Sequence, residues 1–307
     1  MKRRTFLSTT TAACLSPLSA EAAAVYSVVD THTHFYDPSR PQGVPWPGKG
    51  TPLYRTVLPD DWAKLALPHG VTSTVVVEAS AWLEDNQWIL DLAANDKRIV
   101  GFVGRLDPLA TDFAANLKRF SANPIFRGIR LSSDVLVGST LKPEFLTAMK
   151  LLAEQGLQID VNGGGGPYLE AIATLARTIP DLRIVIDHVG GAGDPTQLKD
   201  EWKKGMQLTG KNRNVFCKVS ALAEQTKTEF GQAPQDTAFY LPILDHVWNS
   251  FSEDRVIYGS NWPVSDKGAP YDVIFRIVKE YFSAKGSAAE EKYFYKNSQL
   301  AYRWVAR

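Results

Sequence analysis

The chain has 307 residues, and its 34 lysines and arginines are matched by 33 aspartates and glutamates, leaving a net charge of +1. A charge so balanced argues against nucleic acid or an anionic membrane surface as partner. No run of residues is apolar and long enough to span a bilayer, so no membrane anchor is expected.

The first segment reads as an address rather than as fold. Met1-Lys2-Arg3-Arg4-Thr5-Phe6-Leu7 is followed by a small-residue, mildly apolar run and by Ala20-Glu21-Ala22-Ala23-Ala24. A twin arginine, a short apolar stretch and an A-x-A site in that order predict a Tat-type signal over residues 1–24 and an exported, periplasmic protein. Of the two cysteines, Cys14 falls inside this segment, so Cys217 would remain alone and no intramolecular disulfide could form.

From residue 25 onward, short β-branched runs alternate with stretches of helical spacing. Strands are expected at Val25–Val29, Thr72–Val77, Ile99–Val103, Phe126–Leu131, Leu157–Val161, Arg183–Ile186, Val215–Val219 and Val256–Tyr258. The helices expected between and after them are 60–68, 86–94, 112–120, 142–154, 168–178, 196–208, 239–251 and 271–282. Eight such pairs predict a single α/β domain over 25–307, a (β/α)8 TIM barrel. A doubly wound open sheet is disfavoured, because the first strand is followed by Asp30-Thr31-His32 and not by a glycine-rich turn.

A barrel places its chemistry at the C-terminal strand ends. These ends carry His32 and His34, Glu78, Arg105 and Asp107, Arg130, Asp160 and Asn162, Asp187 and His188, Lys218 and Ser220, and Ser260 and Asn261. Strand alternation would turn Asp30, His32 and His34 to one face, where two imidazoles can grip a cation or a substrate oxygen. The proline-rich stretch 35–55 is long for a loop, and Trp46 within it is positioned to roof a small polar ligand. Cys217, His69 and His246 read as structural.

Seven motifs occur in order: D-T-H-T-H-F-Y-D-P, V-V-V-E-A, R-I-V-G-F-V-G-R-L-D, F-R-G-I-R, I-D-H-V-G, F-C-K-V-S and Y-G-S-N-W-P-V. Together they resemble the amidohydrolase-related branch of the amidohydrolase superfamily, a group of metal-dependent-hydrolase barrels that includes sugar-acid lactonases and pyrone-dicarboxylate lactonase. The resemblance implies a small-molecule substrate and hydrolysis of a cyclic ester. It implies that His32, His34 and His188 bind one divalent ion, zinc first, or hold the lactone carbonyl without metal. Arg130 would pair with a substrate carboxylate or hydroxyl, with Lys218 and Trp46 as further substrate contacts.

The resemblance departs in the metal ligands, where Arg130, Asp160 and Asn162 stand at the fourth and fifth strands in place of a binuclear set, and most consequentially at one further position. The eighth-strand aspartate that serves as general base in such enzymes is Asn261 here, and an amide cannot accept that proton. Asn261 would then orient the water, leaving Glu78 or His188 to take the proton. A decarboxylase of the same superfamily and a non-catalytic binding barrel are the competing expectations.

Overall fold

The computed structural model describes residues 26–307; the twin-arginine segment and Val25 lie outside the described residues. Eight parallel strands follow one another in sequence order: β1 (Val28–Thr33), β2 (Val71–Val77), β3 (Ile99–Gly104), β4 (Phe126–Ser132), β5 (Gln158–Asn162), β6 (Arg183–Ile186), β7 (Val215–Val219) and β8 (Val256–Tyr258). Around them run α1 (Pro59–Ala66), α2 (Asp85–Asn95), α3 (Phe113–Ser121), α4 (Ser133–Ser139), α5 (Pro143–Glu154), α6 (Gly166–Thr178), α7 (Asp200–Gly210), α8 (Thr237–Phe251) and α9 (Tyr271–Ala284). The chain ends in α10 (Ser287–Glu291), a wide turn and α11 (Asn297–Tyr302).

The strands are continuous apolar runs because both of their faces are buried. Along β2, Val75 and Val77 point into the barrel while Val76 joins the layer between sheet and helices. The barrel closes above β8 rather than along it. Asn261 N donates to His32 O at 2.8 Å, His34 N donates to Trp262 O at 2.9 Å, and Thr33 bridges to Trp262.

The opposite end is stoppered by the C-terminus. Tyr302 and Trp304 pack among the inward valines, while Val305 N donates to Val100 O at 2.9 Å and Arg183 Nε to Ala301 O at 2.8 Å. Chemistry is thereby confined to one mouth.

Three local readings are corrected. The first strand runs later than expected, so His32 lies within it. The β1–β2 register shifts between Asp30 and Thr33, and such a bulge breaks simple alternation. Asp30 therefore does not share the histidine face: its carboxylate accepts from Trp62 Nε1 of α1 and Tyr271 OH of α9, in the helical layer. Finally, α7 starts at Asp200 and not at Thr196. Residues Pro195–Gln197 form a separate 3-10 turn, capped by Asp194 accepting from Thr196 N at 2.8 Å, and Leu198 after it is extended.

Candidate active site

A cleft of about 470 Å³ opens at the C-terminal ends of the strands, lined by His34, Trp46, Glu78, Arg105, Arg130, Asn162, His188, Asn261 and Lys267 among others. Trp46 roofs it, with its ring centroid 5.9 Å from His34 and 5.3 Å from Tyr36. A second void between this loop and α2 holds only about 20 Å³, too little for a metabolite.

His32 stands at the floor, its ring centroid 4.9 Å from His34 and 4.5 Å from His188. It is fully buried, and its Nδ1 lies 3.0 Å from Lys218 Nζ and 3.3 Å from Asp187 Oδ1. Its Nε2 has no partner. Gly259 permits this approach, since a Cβ there would lie 2.8 Å from His32 Cβ and 3.0 Å from Lys218 Cδ. His34 Nδ1 donates to Val77 O at 3.0 Å. A carbonyl only accepts, so the proton of neutral His34 sits on Nδ1 and Nε2 presents a lone pair. His188 Nδ1 lies 2.8 Å from Ser220 Oγ.

All three rings are neutral at neutral pH. Burial, then Lys218, takes His32 well below its usual range. Burial and then Arg130 bring His34 to about 4. Burial brings His188 to about 3 against the pull of Asp187, with Arg130 and Lys218 assisting.

Beneath the mouth lies a buried charge cluster. Lys218 Nζ sits 2.7 Å from Asp160 Oδ2 and 2.9 Å from Asp187 Oδ1, and Asp160 also accepts from Tyr302 OH at 3.0 Å and Gln158 Nε2 at 2.9 Å. Lys218 is 0% exposed. This corrects its expected role: it supports the floor and does not face substrate. Burial works to raise Asp187, but Lys218, His32 and His188 around it hold the carboxyl well below its ordinary value. Arg130 Nε lies 3.3 Å from Asp187 Oδ2, at ion-pairing distance but without hydrogen-bond alignment.

Arg130 also reaches Glu78 at 3.8 Å, and Arg105 reaches the same oxygen at 3.5 Å. Burial raises the Glu78 pKa against both guanidiniums. His188 and Asn261 have left-handed backbones, φ 55° and 62°, a strain that clusters at functional positions.

Two participants were not assigned roles from sequence. Asp187, read only as a strand-end residue, offers a donor atom within 4.8 Å of one on His32 and one on His188. These three form the compact donor group; His34, oriented by Val77 O through Nδ1, lies beside it with its Nε2 lone pair free. Glu224 follows β7 and accepts from Asn261 Nδ2 at 2.8 Å; no motif marks it. His246, by contrast, is structural as expected, with Nε2 2.9 Å from Lys203 O and its ring 4.9 Å from Trp202.

The donor group fits a divalent cation: two neutral imidazoles, an ionised carboxylate and a buried His32 Nε2 without a hydrogen-bond partner. Lys218 and Arg130 beside Asp187 weaken that fit by charge without removing a ligand.

A parallel barrel with histidines, an Asp-His pair and carboxylates at one mouth defines a hydrolase-type site. The chain belongs to the amidohydrolase family, whose model matches residues 29–304. An L-fucono-1,5-lactonase of Burkholderia ambifaria is 32% identical over 244 residues, spanning 77% of this chain and 80% of that one. A second L-fucono-1,5-lactonase, from Burkholderia multivorans, is 25% identical over 282 residues, 85% of this chain and 90% of that one. Among solved structures, an amidohydrolase from Burkholderia multivorans with bound zinc superposes with a TM-score of 0.81 at 23% identity, covering 91% of this chain and all of the other.

Proposed function

We propose that this protein is a lactonase that opens a cyclic ester of a sugar acid or a related ring acid by attack of water at the barrel mouth. The observation that carries the reading is the convergence of neutral histidines, Arg130 and a buried Glu78 on one polar cleft, in a chain 32% identical to an L-fucono-1,5-lactonase.

Glu78 is the base in this scheme. His188, held to about 3, is too weak a base near neutrality, whereas burial shifts Glu78 toward the pH at which it would work. Water oxygen adds to the lactone carbonyl carbon as Glu78 takes the proton. Arg130 lines the cleft and faces the oxyanion charge as it grows, and fixed polar groups at that point are usually the largest single contribution to the rate in such a site. The ring C–O bond then breaks, and Glu78 returns its proton to the leaving alkoxide. The product carboxylic acid ionises, so each turnover releases one proton.

Asn261 lacks basicity and orients the water or substrate. A divalent ion such as zinc, when bound by His32, Asp187 and His188, would supply a Lewis acid for the carbonyl. Screening aldonolactones and pyrone acids with a pH indicator, with metal content measured on the same sample, tests the reading. Acid release from at least one ring class supports it, and none from any class refutes it.

Export belongs to the same proposal and rests on the twin arginine and the A-x-A order. Mass spectrometry of the periplasmic protein should find residues 1 to about 24 removed; an intact Met1 or Thr5 there would contradict it.

A further inference from the structure

Glu224 lies in the short turn Glu224–Thr226 after β7, beside Asn261, the departure from the family pattern that matters most. Asn261 Nδ2 donates to its Oε1 at 2.8 Å, and its other oxygen, Oε2, is shielded from water and has no hydrogen-bond partner. Glu224 as a whole is half-buried, with Oε2 enclosed. Asn261 itself lines the cleft and Glu224 does not.

An amide is the residue this neighbour demands. An aspartate at 261 would set a second carboxylate at about hydrogen-bond distance from Glu224, and two such groups cannot both ionise at that separation. With asparagine, one N–H is committed to Glu224 and the amide plane is fixed, which leaves the carbonyl oxygen for water or substrate. Burial brings the Glu224 pKa up to about 7 against the Asn261 hydrogen bond. The charged and titratable groups facing it are Lys267 and Asp266 from the turn after β8 and Tyr240 from α8.

We propose that Glu224 is a positioning residue for the reaction, and that the Asn261–Glu224 pair orients the attacking water where relatives of this type use a single aspartate. The proposal rests on the lactonase reading. It also accounts for Asn261 as half of a matched pair instead of a lost base.

The test is a swap. Glu224→Gln and Asn261→Asp each break the pairing, the first by removing the charged acceptor and the second by opposing two carboxylates. Each should lower kcat about tenfold or more with little change in KM, the loss of a hydrogen bond to a charged group. The double variant E224Q/N261D rebuilds the bond in reverse, the introduced amide donating to the introduced carboxylate, and should recover most of the lost kcat. The pH profile near 7 should lose an inflection in Glu224→Gln. Wild-type kcat and pH profile in Glu224→Gln, or a double variant no better than the worse single, would overturn the proposal.

Urea unfolding of the same four proteins reads the pair without any substrate. Non-additive destabilisation supports the anchoring and additive effects overturn it. No acid release from any lactone by the wild type, with coupling intact, sinks the lactonase reading and leaves the anchoring of Asn261 standing. If Asn261→Asp fails to fold, Asn261→Ala takes its place in the cycle. In that background Glu224→Gln should add no further loss; an added loss would overturn the proposal.

Discussion

Glu78 and His188 share one mouth but are tuned in opposite directions, and that difference assigns their roles. Burial favours the uncharged form of each, raising the carboxyl and lowering the imidazole. For activity, Glu78 must be ionised, so kcat/KM should rise with pH along a limb displaced upward from the usual carboxylate range, and fall as pH drops through it. Glu78→Gln should abolish that limb and cost about 100-fold or more in kcat. An unchanged profile in that variant would move the base elsewhere. His32, His34, Glu78, His188 and Arg130 were legible because each ends an apolar run. Glu224 was not, since its role depends on one contact with a residue 37 positions away. Lys218 was misassigned for a related reason. Its place in the strand was visible, but the two carboxylates that hold it below the mouth come from other strands.

The elements follow the hydrophobic pattern closely where a run is long, and depart from it where a local bond competes. β6, β7 and β8 have the bounds expected from sequence. β1 departs because its bulge is set by partners across the barrel, with Asp30 drawn outward to Trp62 and Tyr271. The helices α4, α10 and α11 went unforeseen because each is short and carries a weak periodic signal. The first loop was recognised by length and composition, and the structure gives it an anchor. Tyr36 and Val57 exchange backbone hydrogen bonds at its base, at 3.0 and 2.9 Å, and Arg40 grips Asp85 of α2 at 2.9 Å. Trp46 is therefore held over the cleft by a fixed loop. Trp46→Ala should raise KM about tenfold while kcat changes little, as expected for an interaction made equally in ground and transition states. Steady-state kinetics on the best substrate will check this, and an equal loss in kcat would give Trp46 a part in the chemistry.

Across the barrel as a whole, the two ends divide stability from function. Tyr302 and Trp304 fill the closed end, and Tyr302 OH reaches up to Asp160 in the charge cluster beneath the mouth. Trp304→Ala should cost about 3 kcal/mol, in the range for a large buried aromatic, measured by urea unfolding, with kcat of the folded protein preserved. A folded variant that loses activity would tie the stopper to the site. The sequence announced the barrel through eight repeated pairs, but not the stopper, because α11 and the residues after it carry no strand or helix pattern of their own strength.

The catalytic roles of Glu78 and Arg130 depend on water opening a cyclic ester at this mouth. The decisive measurement is acid release by the purified protein on a panel of aldonolactones and pyrone acids, run beside Glu78→Gln and with carbon dioxide monitored. One proton should appear per ring opened, about 100-fold or more slowly in the variant, and no carbon dioxide in either. Carbon dioxide in place of net acid, or tight binding of a ring acid without turnover, would contradict lactone hydrolysis.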